Sequence, residues 1–289
     1  MFKRILLTTI SFFGFLLTNR AYSNLLFWFN SKRLGKSFYK LNLNAPQTFN
    51  EKISWIKFNI QNPLSVKVAD KFLVRNYVEQ KIGSQIVIPL IAVYDSPDLI
   101  NFNELPNQFV MKLNNGSGYN LICRDKSKID EIAEIQKFKN AFQSDIYSMS
   151  REWHYKKIAP KIVVEELLDG DLLDYKFFCN STGPFLIQVD VDRFTNHQRN
   201  IYDLTWQLMP YKIRYNNSSR ELSPPKNLQA MIQIVRELSN EFIFSRVDLY
   251  EHDDKIYFGE ITLHPGGGVE PFDCYSSDLE MGQFISLPN

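Results

Sequence analysis

The chain has 289 residues, 44% of them hydrophobic, with 33 lysines and arginines against 32 acids and a formal net charge of +1. A chain of this size can bury cores for two compact units. Its balanced charge, with aromatics in apolar runs rather than interleaved with bases, gives no ground for nucleic-acid binding.

At the N-terminus, Lys3 and Arg4 precede an apolar run over residues 5–17 that is too short to span a bilayer. It resembles a signal-peptide core, but the polar residues 18–23 make a weak cleavage site. A second apolar patch at residues 25–29 precedes Lys32, Arg33 and Lys36. Residues 1–36 therefore read in one of two ways: as a peripheral contact with an anionic membrane surface, or as two helices packed on the body. The three cysteines, Cys123, Cys179 and Cys274, form no CxxC and suit a reducing cytosol. The expected location is cytoplasmic, at the inner face of the membrane if the first reading holds.

Thr48 followed by Glu51 is a capping box and predicts a short helix through residue 57, partly buried by Ile53 and residues 55–58. Asn62-Pro63 breaks it, and residues 65–82 resume helical spacing through Val68, Phe72, Val74 and Val78 until Gly83. Asp70, Lys71 and Arg75 read as a solvated face of that helix. Residues 86–93 form a short apolar strand. A strand carrying Lys112 then runs into Asn114-Asn115-Gly116-Ser117-Gly118, and another leaves through Tyr119 to Cys123. Such a loop either turns backbone N–H groups onto a phosphate or is a flexible hairpin turn. It is neither a Walker loop nor a GxGxxG.

An amphipathic helix is expected over residues 127–149, then a buried strand over 161–168 that ends in Glu165-Glu166 and leads to Asp169-Gly170-Asp171. Residues 174–178 and 185–191 read as paired strands. Lys176, inside the first, needs a negative partner, either a bound phosphate or Glu165 or Glu260. Asp190-Val191-Asp192 is a DxD triplet, a weak sign of a metal and a nucleotide sugar. Arg193, His197 and Arg199 follow in a polar loop that either meets an acidic substrate or is merely exposed. A linker at 223–225 precedes a helix over 228–240.

Residues 243–250 and 256–262 then form a hairpin, with Asp248 and Glu260 interrupting its apolar strands. Arg246 shares a face with Asp248, and Thr262 shares one with Glu260. A three-residue loop of Asp253, Asp254 and Lys255 sets Asp248 opposite Glu260, whereas a two-residue loop separates them. Carboxylates brought that close invite Mg2+; the alternative is a solvated hairpin. His264 and Pro265-Gly266-Gly267-Gly268 follow.

A strand lysine with a Gly-Ser-Gly loop, an acidic strand end, a lysine strand and paired carboxylates on a last hairpin stand in a fixed order. From about Asn42 onward, through FVMKLNNGSGYNLICRDK, DYKFF and RVDLYEHDDKIYFGEITLHPGGG, the chain resembles the teichuronopeptide-biosynthesis (TupA-like) ATP-grasp family. The resemblance implies an α+β ATP-grasp fold of two α+β subdomains clamping ATP, preceded by a helical N-terminal region. Its expected divisions are 1–41 helical, 42–105 mixed, 106–160 first subdomain and 161–289 second subdomain. It further implies that Lys112 and Lys176 hold ATP phosphates under Gly116, Ser117 and Gly118. Glu165, Glu166 and Leu167 line the adenine pocket, with Asp171 or Glu166 near the ribose. Asp248 and Glu260 bind Mg2+, and Arg246, with Lys176 and Arg193, acts at the reacting groups.

In two places the chain departs from the family pattern. Thr262 stands where an asparagine ligand is usual, and residues 1–65 read as helices rather than a Rossmann-like domain. Carboxylate recognition then falls to Arg193, His197, Arg199, His264 and the loop at Gly267. The activity implied is an ATP- and Mg2+-dependent ligase joining a small amine or amino acid to a carboxylate-bearing sugar or polysaccharide precursor. The alternatives are a glycosyltransferase using Asp190 and Asp192, and a degenerate binding module.

Overall fold

A computed structural model describes residues 16–116, 119–170, 172–192 and 195–288. Most of the N-terminal apolar run lies outside them, as do four expected site residues, Ser117, Gly118, Asp171 and Arg193.

Helix α1 (Asn19–Leu34) is capped by the Thr18 hydroxyl and closed by Gly35 at φ 60, with Lys32 and Arg33 in the last turn, where the helix dipole favours cations. Helix α2 (Phe49–Asn59) opens on the capping box read from the sequence. The buried Glu51 carboxylate accepts the N–H groups of Asn42, Gln47 and Thr48, so it also ties down the loop ahead of the helix. The single helix expected over 65–82 divides into α3 (Leu64–Ala69) and α4 (Leu73–Lys81). Asp70 causes the break: its Oδ1 accepts the N–H groups of Phe72 and Leu73 and starts a new helix there.

Strands β1 (Leu90–Tyr94), β2 (Phe109–Leu113), β3 (Asn120–Cys123) and β4 (Ile162–Glu165) form an antiparallel sheet in the order β1-β4-β2-β3. The strand expected from residue 86 begins only at 90, because 84–86 coil into a 3-10 turn and Val87 bridges to Phe258 instead. Between β3 and β4 lie α5 (Glu131–Phe142) and α6 (Ile146–Ser150). Phe138 of α5 packs on Phe109, Met111, Leu113, Ile162 and Val164. β4, which follows the boundary expected at residue 160, pairs within this first sheet.

The second sheet contains β5 (Asp174–Asn180), β6 (Gly183–Val191), β7 (Gln198–Tyr202), β8 (Phe244–His252) and β9 (Lys255–Thr262), ordered β7-β6-β5-β8-β9. Strand alternation gives its two faces different jobs. Tyr175, Phe177, Ile187, Val189, Val247 and Leu249 pack on α4 and on α7 (Leu228–Ser239). On the opposite face, Phe178, Leu186 and Phe244 are covered by Phe49, Ile53 and Ile56 of α2 and Met281 of α8 (Tyr275–Gly282). Each such side chain contributes about 1.5–3 kcal/mol over an exposed position. Beyond Phe178 that same face turns ionic, with Lys176, Asp174, Asp248 and Asp190 on it. Asp278 of α8 fixes the covering helix in place. It accepts the Asn50 N–H at 3.0 Å, the Asn50 side-chain amide and the Tyr39 hydroxyl, and desolvation pushes its carboxyl up to about 6.

The β8–β9 hairpin resolves the question of loop length. His252 pairs with Lys255, leaving a two-residue turn of Asp253 and Asp254 with φ of 49° and 57°. That turn alone would put Asp248 opposite Gly259. An irregularity between Asp248 and Leu249 shifts the register by one, and Asp248 faces Glu260 after all. The extra residue is Gly259, where a Cβ would stand 2.9 Å from Tyr250 Cε2 and 3.0 Å from the Asp248 carbonyl oxygen. Gly259→Val is therefore expected to lose about 1–3 kcal/mol through overpacking. Thermal unfolding reads this as a fall of several degrees in Tm, and an unchanged Tm would show that the bulge tolerates a side chain.

Candidate active site

One row crosses four strands of the second sheet: Gln188, Lys176, Asp248 and Glu260 lie opposite one another in register. Lys176 is buried, and its ammonium meets Asp174 and, at 2.5 Å, Asp248. Its protein partners are therefore not Glu165 or Glu260, the pair expected from sequence. The β5–β8 register sets Asp248 directly across from it, and Asp174 is the next residue on the same face. Burial pulls the Lys176 pKa down, but Asp248 and Asp174 outweigh it and hold the pKa above its usual value. Asp248 has both oxygens taken by Arg246, with Nε to Oδ1 and Nη2 to Oδ2 each 2.7 Å. The same Nη2 reaches Glu260 at 3.2 Å and the Thr262 hydroxyl at 3.1 Å. Arg246 is also raised, with desolvation overcome first by Asp248.

The first sheet and the α3–α4 turn supply the facing wall. Lys112 of β2 lies 2.5 Å from Glu165, which also accepts from Arg75 at 2.8 Å. Lys71 donates to the Gly116 carbonyl at 2.6 Å and stands 3.6 Å from Glu260. The solvated-face reading of Lys71 and Arg75 is thus corrected. Asp70 breaks the helix just ahead of them and turns both inward, where their side chains are only 14% and 12% exposed. The four-residue spacing of these two cations was the available signal, but it fits an exposed stripe equally well.

The cleft's electrostatics follow from these neighbours. Lys71 is lowered, first by burial and then by Lys112, against the pull of Glu260. Desolvation raises the Glu260 carboxyl, but Lys71, Arg246, Lys176 and Lys112 together bring it down to about 2. Lys71, Arg75, Lys112, Lys176 and Arg246 oppose Glu165, Asp174, Asp248 and Glu260, so five positive charges face four negative ones. That excess favours an anionic ligand. Asp248, Glu260 and Thr262 offer only oxygen donors, the kind Mg2+ takes, and Arg246 Nη2 now bridges all three. Half-exposed Glu260 is the more available carboxylate, since Arg246 and Lys176 engage Asp248 fully.

Other expected residues lie around this centre. Gly116 ends the described part of its loop at φ 63. Glu166 is exposed beyond β4, its N–H donating to the Pro89 carbonyl, and Leu167 is half-buried next to it. Arg199 is buried within β7, not carried on an open loop, and its Nε donates to Asp190 at 2.7 Å. His197 lies 3.2 Å from Asp190 and stacks on Tyr215 at 3.8 Å between centroids. Burial raises Asp190, but Arg199 overrides it and holds the carboxyl well below the usual range. Asp192 lies past the strand end, exposed at φ 50, so the DxD triplet makes no common site with it. His264 bonds Glu152 at 2.9 Å, and the Gly267 carbonyl accepts from Lys57 at 2.7 Å. Lys57, Glu152 and Arg214, the last paired with Glu270 at 3.2 Å, drew no notice in sequence because each partner is far away along the chain.

Two antiparallel sheets that bring lysines and a carboxylate-bearing hairpin to one cleft have the ATP-grasp architecture. The protein is an enzyme of that superfamily, whose members are ATP-dependent ligases. More narrowly, the sequence profile of the family described as TupA-like ATPgrasp matches residues 51–286, and the chain belongs to that family. No curated protein matches it in sequence. Among solved structures it is similar to D-alanine–D-alanine ligase from Helicobacter pylori, at 15% identity and TM-score 0.44, over 82% of this chain and 69% of that one. It is also similar to L-amino acid ligase from Bacillus licheniformis, at 15% identity and TM-score 0.46, over 88% of this chain and 57% of that one. D-alanine–D-alanine ligase from Bacillus anthracis complexed with ATP gives 15% and 0.40, over 69% and 56%. The chain thus spans little more than half the length of the last two.

The carboxyl of Glu260 owes its low value first to Lys71 among the cations. Carboxyl-carbon NMR should find it titrating near pH 2 in the wild type and moving toward the ordinary glutamate range, about 4.3, in Lys71→Met. A depressed carboxyl stabilises the fold above its unfolded value and loses that contribution as pH falls. In Lys71→Met that contribution should be largely absent, so the loss of stability the wild type shows between about pH 4.3 and 2 should shrink.

Proposed function

We propose that the protein is an ATP- and Mg2+-dependent carboxylate–amine ligase that works through an acyl phosphate, joining a small amine or amino acid to a uronic acid of a surface polysaccharide or its precursor. What supports this is the meeting of Lys112 and Lys71 with Lys176, Arg246, Asp248 and Glu260 around one cleft of net positive charge. Lys112 and Lys176 would hold the triphosphate. A substrate carboxylate is ionised at neutral pH, so it needs no protein base to attack the γ-phosphorus. ADP leaves, the amine attacks the acyl carbon, and phosphate departs as the amide forms. Arg246, cationic at all working pH, would steady the acyl phosphate. Asp248 and Glu260, with Thr262, would hold Mg2+, which when bound offsets charge on the transferring phosphoryl group. Lys71, Arg75 and Lys112, each engaged by a carboxylate or carbonyl, hold those charges ready in place.

For the carboxylate-bearing sugar, the basic cluster of Arg199, Arg214 and His197 around Tyr215 offers cations beside an aromatic ring. Arg193 and Gly267 would complete that side. Glu165, Glu166, Leu167 and Asp171 would take the nucleoside, with Ser117 and Gly118 over its phosphates. Residues 1–36 would meet the inner face of the cytoplasmic membrane, where such precursors are lipid-linked. Among the described residues no helix is long and apolar enough to cross a membrane, while Trp28 is 43% exposed with Lys32 over its ring.

The test is phosphate release from ATP with a panel of uronic acids and amines. Release is expected to need both partners; ADP formed with a sugar acid and left unchanged by every amine, with no amide product, would overturn the amide-forming step. Lys176→Ala and Glu260→Gln should each slow turnover about 100-fold or more. Asp192→Asn should change it less than about twofold, whereas a glycosyltransferase would show the opposite order.

A further inference from the structure

Glu152, His154 and His264 form a buried cluster that draws His264, expected from the sequence at the substrate carboxylate, away to Glu152. Glu152 and His154 lie at the start of the 3-10 turn Trp153–Lys156, ahead of β4, and His264 lies two residues past β9. All three are buried, His154 to 1% exposure. Glu152 Oε2 stands 2.9 Å from His264 Nδ1 and 3.6 Å from His154 Nε2, and one ligand atom from each residue lies within 4.8 Å of the others. The two imidazoles lie nearly parallel, 14° between planes, with centroids 5.6 Å apart.

Hydrogen bonding ties Glu152 to His264 but does not account for His154. Among the described residues the His154 ring has no hydrogen bond: Nδ1 is buried without a partner, and Nε2 is beyond reach of Glu152. The nearby cations are engaged elsewhere. Lys57 donates to the Gly267 carbonyl, and the Arg151 guanidinium lies over the Tyr22 ring and bonds Asn19.

We propose that Glu152, His154 and His264 bind a divalent transition-metal ion of the zinc class at a site separate from the oxygen donors Asp248 and Glu260. Two imidazoles and a carboxylate are the donors that zinc takes and magnesium avoids. Ligands 2.0–2.1 Å from a tetrahedral zinc stand about 3.3 Å apart, and the observed 2.9 and 3.6 Å bracket that span. Three protein ligands leave a fourth position for water. A metal there would join the segment ahead of β4 of the first sheet to the residues just past β9 of the second.

The full-length protein, stripped with chelator and free of nucleotide, is titrated calorimetrically with zinc chloride. One ion per chain is expected, with affinity falling about 100-fold or more in His154→Asn and His264→Ala. Glu260→Gln should leave zinc affinity within about threefold, because that residue serves the oxygen site. Zinc should raise Tm by several degrees in the wild type and not in His154→Asn, a variant that removes no hydrogen bond and whose folding circular dichroism checks. Absence of both heat and Tm change in the wild type overturns the proposal. So does zinc affinity indifferent to His154→Asn, or lost in Glu260→Gln.

Discussion

Lys176 and Asp248 sit opposite each other in the interior of a sheet, and the cost of leaving either charge unpaired there governs the whole cleft. Removing one partner of a buried pair strands the other, typically at about 3–5 kcal/mol. The protein avoids this by giving every charge in the neighbourhood an opposite one: Asp174 and Asp248 for Lys176, the Arg246 fork for Asp248, and Arg246 and Lys71 for Glu260. The groups are thus fixed in place before any ligand arrives. Under the proposed function, a triphosphate entering this network would exchange partners with lysines already desolvated, rather than order flexible side chains at the moment of binding.

Two devices hold the network together. Within the second sheet, the bulge at Gly259 restores the register that the two-residue turn would have lost, so both carboxylates reach the same face. Between the sheets, Lys71 from the turn ahead of α4 and Arg75 from α4 itself, which packs on the second sheet, extend to Gly116 and Glu165 of the first. Because these contacts are ionic and partly exposed, any movement of one sheet against the other is registered directly at Glu260. Lys71 touches both the hairpin acid and the loop after β2.

Sequence reasoning captured what local chemistry decides. The capping box at Thr48 and Glu51, the Lys112 hairpin, the apolar stripe of α7 and the carboxylates on the last hairpin are set by residues a few positions apart. It missed what long-range register decides. Whether Asp248 meets Glu260 depended on a glycine bulge that no turn rule predicts. Lys176 was matched with the wrong acids because pairing across β5 and β8 joins residues 72 apart. Lys71 and Arg75 looked like surface charges because helical spacing reports a face without saying what lies against it. Glu152 and His264, 112 positions apart, come together only when the two sheets do.

The carboxylate of Asp278 at the head of α2 links an early helix to a late one. The apolar side of α2 rests on Phe178 and Phe244, strands made more than a hundred residues after it, and α8 completes the cover. During synthesis on the ribosome, α2 must therefore wait with Phe49, Ile53 and Ile56 unburied until nearly all of the following chain has emerged. The sheet of Lys112, whose strands close within residues 90–165, has no such wait. Assembly of this protein thus has a built-in order, in which the half that holds Lys112 can settle well before the half that holds Asp248.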